Sequence, residues 1–181
     1  MSTALNRSRT PRGEGPTEPA ELAERIVREA RSRAGLLLLL DYEATLGPPP
    51  PEGRGTELPL LVRGALVALT TAPDVRVVMI SSEEAGRLDA RLRMPGLLYA
   101  GARANVVSMM EQWMREGCGQ PVVVFIGAGG AFATRGKPGF AVHVGRPRGE
   151  PAACHWVPDQ ASAVELLARL AFSWSMSAPA Q

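Results

Sequence analysis

Lysine is all but missing from this chain: Lys137 is the sole one, and arginine supplies the remaining positive charge. Basic residues are interleaved with glutamates, the formal net charge is only +2, and no basic stripe alternates with aromatics. A nucleic-acid surface is therefore not expected. Cysteine is scarce too. Cys118 and Cys154 lie far apart and form no CxxC pair, which speaks against a disulfide framework or zinc ribbon and for a reducing, cytoplasmic compartment. The two histidines, His143 and His155, cannot make a zinc site without further ligands. The leucine run Leu36–Leu40 is far too short to cross a bilayer, and no apolar stretch follows a charged start. Neither a membrane span nor a signal peptide is expected.

What is present is ordinary globular composition, 45% apolar and 21% charged over 181 residues. That is one domain's worth of chain, able to bury its own core without a metal or disulfide staple. Residues 1–18 are rich in Ser, Thr, Arg, Gly and Pro and lack periodicity, so they read as a disordered tail. The core domain is expected over residues 19–173, with 174–181 as a frayed end.

Periodicity then alternates between helix and strand. Pro19–Ala34 carries Leu22, Ile26 and Ala30 on one stripe, with Glu-first i,i+4 pairs such as Glu29–Arg33, and reads as a helix ended by Gly35. Leu36–Leu40 and Val75–Ile80 are short, continuous apolar runs, as in strands buried on both faces. Leu58–Thr71 is expected to be helical with Leu61, Ala65 and Leu69 inward. A charged helix (Glu83–Leu92), a short strand (Leu97–Ala100) and a helix over Asn105–Glu116 follow, the last with Met109, Met110 and Trp113 as core. Strands are expected at Val122–Ile126, Phe140–Val144 and Cys154–Val157, and a final helix over Ala161–Phe172 with Val164, Leu167 and Ala171 inward. This order implies an α/β three-layer sandwich around a central parallel sheet. In such sheets ligands collect at the carboxyl ends of the strands, where Asp41, Ser81 and Gly127 fall.

Around Asp41 the sequence reads Leu40-Asp41-Tyr42-Glu43-Ala44-Thr45-Leu46. This resembles the DxDGTL loop of the haloacid-dehalogenase-like phosphatases, and its LDYxxTL form is most similar to trehalose-6-phosphate phosphatases. Val77–Ile80 followed by Ser81 and Ser82 resembles that family's second motif, Leu98-Tyr99-Ala100-Gly101 its "YAG" segment, and Val122–Gly127 the strand that carries its acidic metal motif. The resemblance covers residues 20 to 172. It implies a haloacid-dehalogenase-like core in which Asp41 is the nucleophile that forms an aspartyl-phosphate and binds Mg²⁺. It also implies that the acidic residue at Glu43 handles the leaving-group proton, and that Thr45, Ser81 and Ser82 position the phosphate.

The departures from that pattern matter as much. Glu43 replaces an aspartate and is one methylene longer, and Ala44 replaces a glycine. Where the family has GDDxTDE, this chain reads Gly127-Ala128-Gly129-Gly130-Ala131-Phe132, without the aspartates that hold magnesium. The third motif's lysine is absent, with Arg103 as a substitute positive charge. "YAG" leads almost directly into the next helix, so no cap domain is expected. Glu83 or Glu84 could stand in for the lost carboxylates.

Three readings follow. The first is a degenerate trehalose-phosphatase-like domain that needs no cofactor and acts in binding or regulation, with a partner protein (a trehalose-pathway enzyme) or a second copy of itself. The second is a residual Mg²⁺-dependent phosphomonoesterase that converts trehalose 6-phosphate to trehalose through Asp41 and Glu43. The third is a nucleotide module on Gly127 and Gly129, weakened by Phe132 at the third glycine position of a dinucleotide fingerprint. A phosphate-containing small molecule is a further ligand that the sequence allows.

Overall fold

The computed structural model describes residues 15–46, 58–101, 106–116, 119–128, 139–146 and 155–177. The expectations placed on Cys118, Cys154, Arg103, Gly129, Gly130 and Phe132 lie outside the described residues.

The elements in chain order are α1 (Pro19–Arg31), β1 (Leu36–Asp41), α2 (Tyr42–Leu46), α3 (Leu60–Thr70), β2 (Val75–Ser81), α4 (Ala85–Leu92), β3 (Leu97–Gly101), α5 (Val106–Arg115), β4 (Val122–Gly127), β5 (Gly139–Val144), β6 (His155–Val157) and α6 (Gln160–Met176). The strands form one six-stranded sheet in the order β3-β2-β1-β4-β5-β6, and every pairing is parallel. The chain winds outward from β1 through β2 to β3, then returns to β4 and winds the other way. The seam between β1 and β4 is thus the topological switch point where such sheets open a ligand crevice.

Alternate leucines of β1 serve opposite faces of the sheet, as the period of a strand requires. Leu36, Leu38 and Leu40 join the larger core with α1, α3 and α6. Leu37 and Leu39 pack with Val78, Ile80, Val123, Phe125 and the α5 residues Trp113 and Met109. Each fully buried leucine contributes roughly 1.5–3 kcal/mol of transfer free energy. The strand starts where it does because of Gly35, whose φ is +107° and whose missing Cβ would lie 2.2 Å from the Asp74 carbonyl oxygen. That close approach lets the Leu36 amide donate to the Asp74 carbonyl at 2.9 Å, while the Gly35 carbonyl accepts from Val122.

Three expectations shift. In α3 the buried stripe is Val62, Ala65, Leu66 and Leu69, and Leu61 is 60% exposed; Ala65 and Leu69 point inward as expected, and packing on the sheet selects Val62 and Leu66 in place of Leu61. Helix α6 does not end at Phe172 but runs to Met176. Trp174, expected in a frayed end, is 3% exposed. Its carbonyl accepts from Arg31 Nη2 at 3.0 Å and the guanidinium lies 4.0 Å over its ring, while Arg31 Nη1 bonds Asp74 at 2.5 Å. Finally, Thr17 donates its amide to the Trp156 carbonyl, so the last residues of the expected tail lie against β6.

Residues 102–105 alone separate β3 from α5, so no cap domain is inserted there. Among the described residues no helix is long and apolar enough to cross a membrane.

Candidate functional site

Register delivers three residues to one edge. Asp41 pairs with Ile80, and Leu40 with Ile126, so Asp41, Ser81 and Gly127 finish their strands side by side. Gly127 is there for lack of a side chain: a Cβ would meet the Asp41 Cβ at 2.6 Å and the Phe125 ring at 2.5 Å.

Asp41 is half-buried, and both its carboxylate oxygens are engaged by backbone. Oδ1 accepts from the Ala44 amide at 3.1 Å and Oδ2 from the Ala128 amide at 3.3 Å. The first contact turns the chain from β1 into α2, and the second ties that turn to the end of β4. Asp41 thus braces two loops across the switch point.

Glu43 reaches to the end of β2. Its Oε1 accepts three hydrogen bonds: from Ser81 Oγ at 2.7 Å, from Ser82 Oγ at 2.7 Å and from the Ser82 amide at 2.9 Å. Hydroxyl-to-carboxylate bonds this short are of the charge-assisted kind. The Ser81 hydroxyl is orientated for the purpose, because its oxygen accepts from the Glu83 amide at 3.0 Å and its proton is left for Glu43. Burial by itself would raise the Glu43 pKa, but the Ser81 and Ser82 hydroxyls and the Ser82 amide more than offset it. The carboxyl is held below the ordinary glutamate value.

Other expected site residues are elsewhere occupied. Thr45 is fully buried and its hydroxyl has no hydrogen-bond partner among the described residues, so it does not bond Asp41. Glu83 pairs with Arg91 at 2.8 Å, and Arg91 lies 5.3 Å over the Tyr42 ring. Glu84 is highly exposed and faces Arg87 at 3.8 Å. The Glu83 carboxylate is thus paired within the region of α4, whereas that of Glu84 faces solvent. The half-buried His143 is a satisfied strand histidine, with Nδ1 3.0 Å from the Gly145 carbonyl oxygen.

A residue the sequence reading passed over is Gln160, whose Nε2 donates to the Glu43 carbonyl at 3.0 Å. It follows Asp159, which caps α6 by accepting from the Ser162 amide and hydroxyl at 2.9 and 2.8 Å. No local sequence pattern announces the reach of Gln160 back to α2. Between these elements lies an open cleft of about 580 Å³, with Ala44 and Ala128 on one side and Gly145, Asp159 and Gln160 on the other. It adjoins the Asp41 loop directly, through the two residues whose amides hold that carboxylate.

A Mg²⁺ ion needs octahedral oxygen ligands, usually one or two carboxylates with waters and phosphate oxygens. Asp41 supplies one carboxylate, already bridging two amides, and Glu43 points at the serines. Among the described residues no three His, Cys, Asp or Glu side chains cluster to hold a metal. The described residues do not fit a resident Mg²⁺.

No protein-family model matches the chain, and no curated protein matches it in sequence. Solved structures do match. A trehalose-6-phosphate phosphatase of Aspergillus fumigatus aligns with a TM-score of 0.64 at 13% identity, over 89% of this chain and 100% of that one. The 3-deoxy-D-manno-octulosonate 8-phosphate phosphatase of Yersinia pestis gives 0.56 at 18% identity, over 83% and 86%. A Legionella pneumophila protein assigned to HAD subfamily III A gives 0.58 at 15% identity, over 89% and 94%. At these identities the likeness is one of fold. The chain has a haloacid-dehalogenase-like core, of the architecture found in phosphatases.

Proposed function

We propose that this chain is a phosphatase-fold domain that works by binding, not by turnover, in the cytoplasm. The observation that carries the reading is the clasp of Glu43 on Ser81 and Ser82. A general acid must stand within hydrogen-bond reach of the proton it moves. Here one oxygen of that carboxylate accepts from three protein donors at the end of β2, which fixes the side chain on the serines in place of a leaving group. The lack of a carboxylate cluster around Asp41 among the described residues supports the same reading, since phosphoryl transfer depends mainly on positioning and charge neutralisation. The partner proposed, a trehalose-pathway enzyme or a second copy of the chain, is motivated by the family resemblance of the sequence alone. Fold likeness by itself does not transfer an activity.

The rival reading, a residual Mg²⁺-dependent phosphomonoesterase, draws on Asp41 standing half-buried beside an open cleft. Phosphate release from trehalose 6-phosphate and from an aryl phosphate, with and without Mg²⁺, separates the two when wild type is compared with Asp41→Asn. The expected result is no release above background in any arm. Turnover that requires both Mg²⁺ and Asp41 overturns the binding reading in favour of the enzyme.

A further inference from the structure

The Ser81–Ser82 turn converges three donors on one point in space. Two are hydroxyls and one is a backbone amide, all within 2.7–2.9 Å of Glu43 Oε1. Donors that converge on one carboxylate oxygen have the geometry that would receive an oxygen of any small oxyanion. The Ser81 proton is directed there by the Glu83 amide behind it, so the seat is organised independently of what fills it. What fills it is a side chain of the same molecule, carried on the five-residue helix α2 at the mouth of the sheet. Ser82 is exposed and Glu43 half-buried, so the contact lies within reach of solvent solutes.

The family resemblance already implies a phosphate contact at Ser81 and Ser82; we propose that Glu43 keeps that seat shut, acting as an autoinhibitory ligand in competition with the phosphate group. The proposal rests on the reading that Glu43 is withdrawn from chemistry, and deepens it by assigning the carboxylate a regulatory task. An incoming phosphate binds only the fraction of molecules with Glu43 displaced, and its apparent affinity is reduced by that fraction.

The test is binding of inorganic phosphate to the full chain by calorimetry, in wild type, Glu43→Ala, Glu43→Gln and the double variant Glu43→Ala/Ser82→Ala. Glu84→Gln controls for the loss of a nearby negative charge that makes no contact with the serines. A seat shut in nine molecules of ten predicts about tenfold tighter binding by Glu43→Ala. The same direction is expected in Glu43→Gln, which carries the test if the alanine variant does not fold. The gain should vanish in the double variant and be absent in Glu84→Gln. Phosphate affinity unchanged by both Glu43 substitutions, or a gain that survives loss of Ser82 or is matched by Glu84→Gln, overturns the proposal. These measurements read binding alone. Turnover by wild type would sink the non-catalytic reading and leave the competition standing, whereas unchanged affinity would sink the competition and leave that reading untouched.

Discussion

Gly127 and Asp41 end neighbouring strands so closely that a single methyl group on Gly127 would fall 2.6 Å from the Asp41 Cβ. The Phe125 ring, also within reach, is packed in the core, and Asp41 Cβ is fixed to the backbone of β1, so neither yields easily. Gly127→Ala should therefore force β1 and β4 apart at the switch point. A loss of about 1–3 kcal/mol is expected, in the range of overpacked sites, read as a lower urea midpoint with an unchanged m-value. A neutral substitution would mean that the edge is looser than its geometry.

The two amides on Asp41 make it a brace as well as a candidate nucleophile. Asp41→Asn keeps one acceptor oxygen and turns the other into a donor that faces an N–H, so about 1–2 kcal/mol should be lost. Asp41→Ala leaves the Ala44 and Ala128 amides both without their acceptor, and about 2–4 kcal/mol is expected. Chemical denaturation of both variants gives the ordering. If alanine is no worse than asparagine, the carboxylate is not holding the loops together.

His155 links acid sensitivity to the edge of the sheet. It is half-buried, with the Phe140 ring centroid 5.8 Å away and Nδ1 3.4 Å from the Thr17 hydroxyl. Burial first, and the Arg25 guanidinium second, lower its pKa, with Glu21 opposing. Above the unfolded value, about 6.5, both states are neutral and the contribution is constant. As pH falls below that value the unfolded chain takes up the proton first, so stability declines until the folded pKa is passed. Urea midpoints measured from about pH 7.5 down to about pH 5 should fall for wild type and fall less steeply for His155→Gln. Parallel profiles would contradict the assignment.

These expectations rest on elements that the sequence announced to very different degrees. The strands β1, β2 and β4 were legible because a strand buried on both faces must be apolar at every position, and Leu36–Leu40 leaves no polar face. Their parallel order followed from the helices between them. The stripe on α3 was misjudged because Leu60, Leu61, Val62, Leu66, Val67 and Leu69 satisfy more than one helical face, and only packing on the sheet chooses among them. Nothing local in the sequence distinguishes Trp174 from a frayed end, since its anchor, Arg31, lies on α1. At the site, Asp41, Glu43, Ser81 and Ser82 were all identified as candidates from the motif resemblance. What sequence could not give was the direction of Glu43, because one extra methylene permits several reaches and the choice depends on where β2 ends relative to α2. Gln160 was invisible for the same reason, being far along the chain and adjacent only in the fold.

Everything proposed for the site depends on the Glu43 carboxylate being held by Ser81 and Ser82. Its own titration, followed through the side-chain carboxyl carbon by NMR in the full chain, reads that contact without reference to activity. The three donated hydrogen bonds predict a midpoint below the ordinary glutamate value of about 4.3, rising in Ser82→Ala, where the hydroxyl contribution is removed. An ordinary or elevated midpoint in wild type, indifferent to Ser82→Ala, would show that the clasp does not form and would contradict the account.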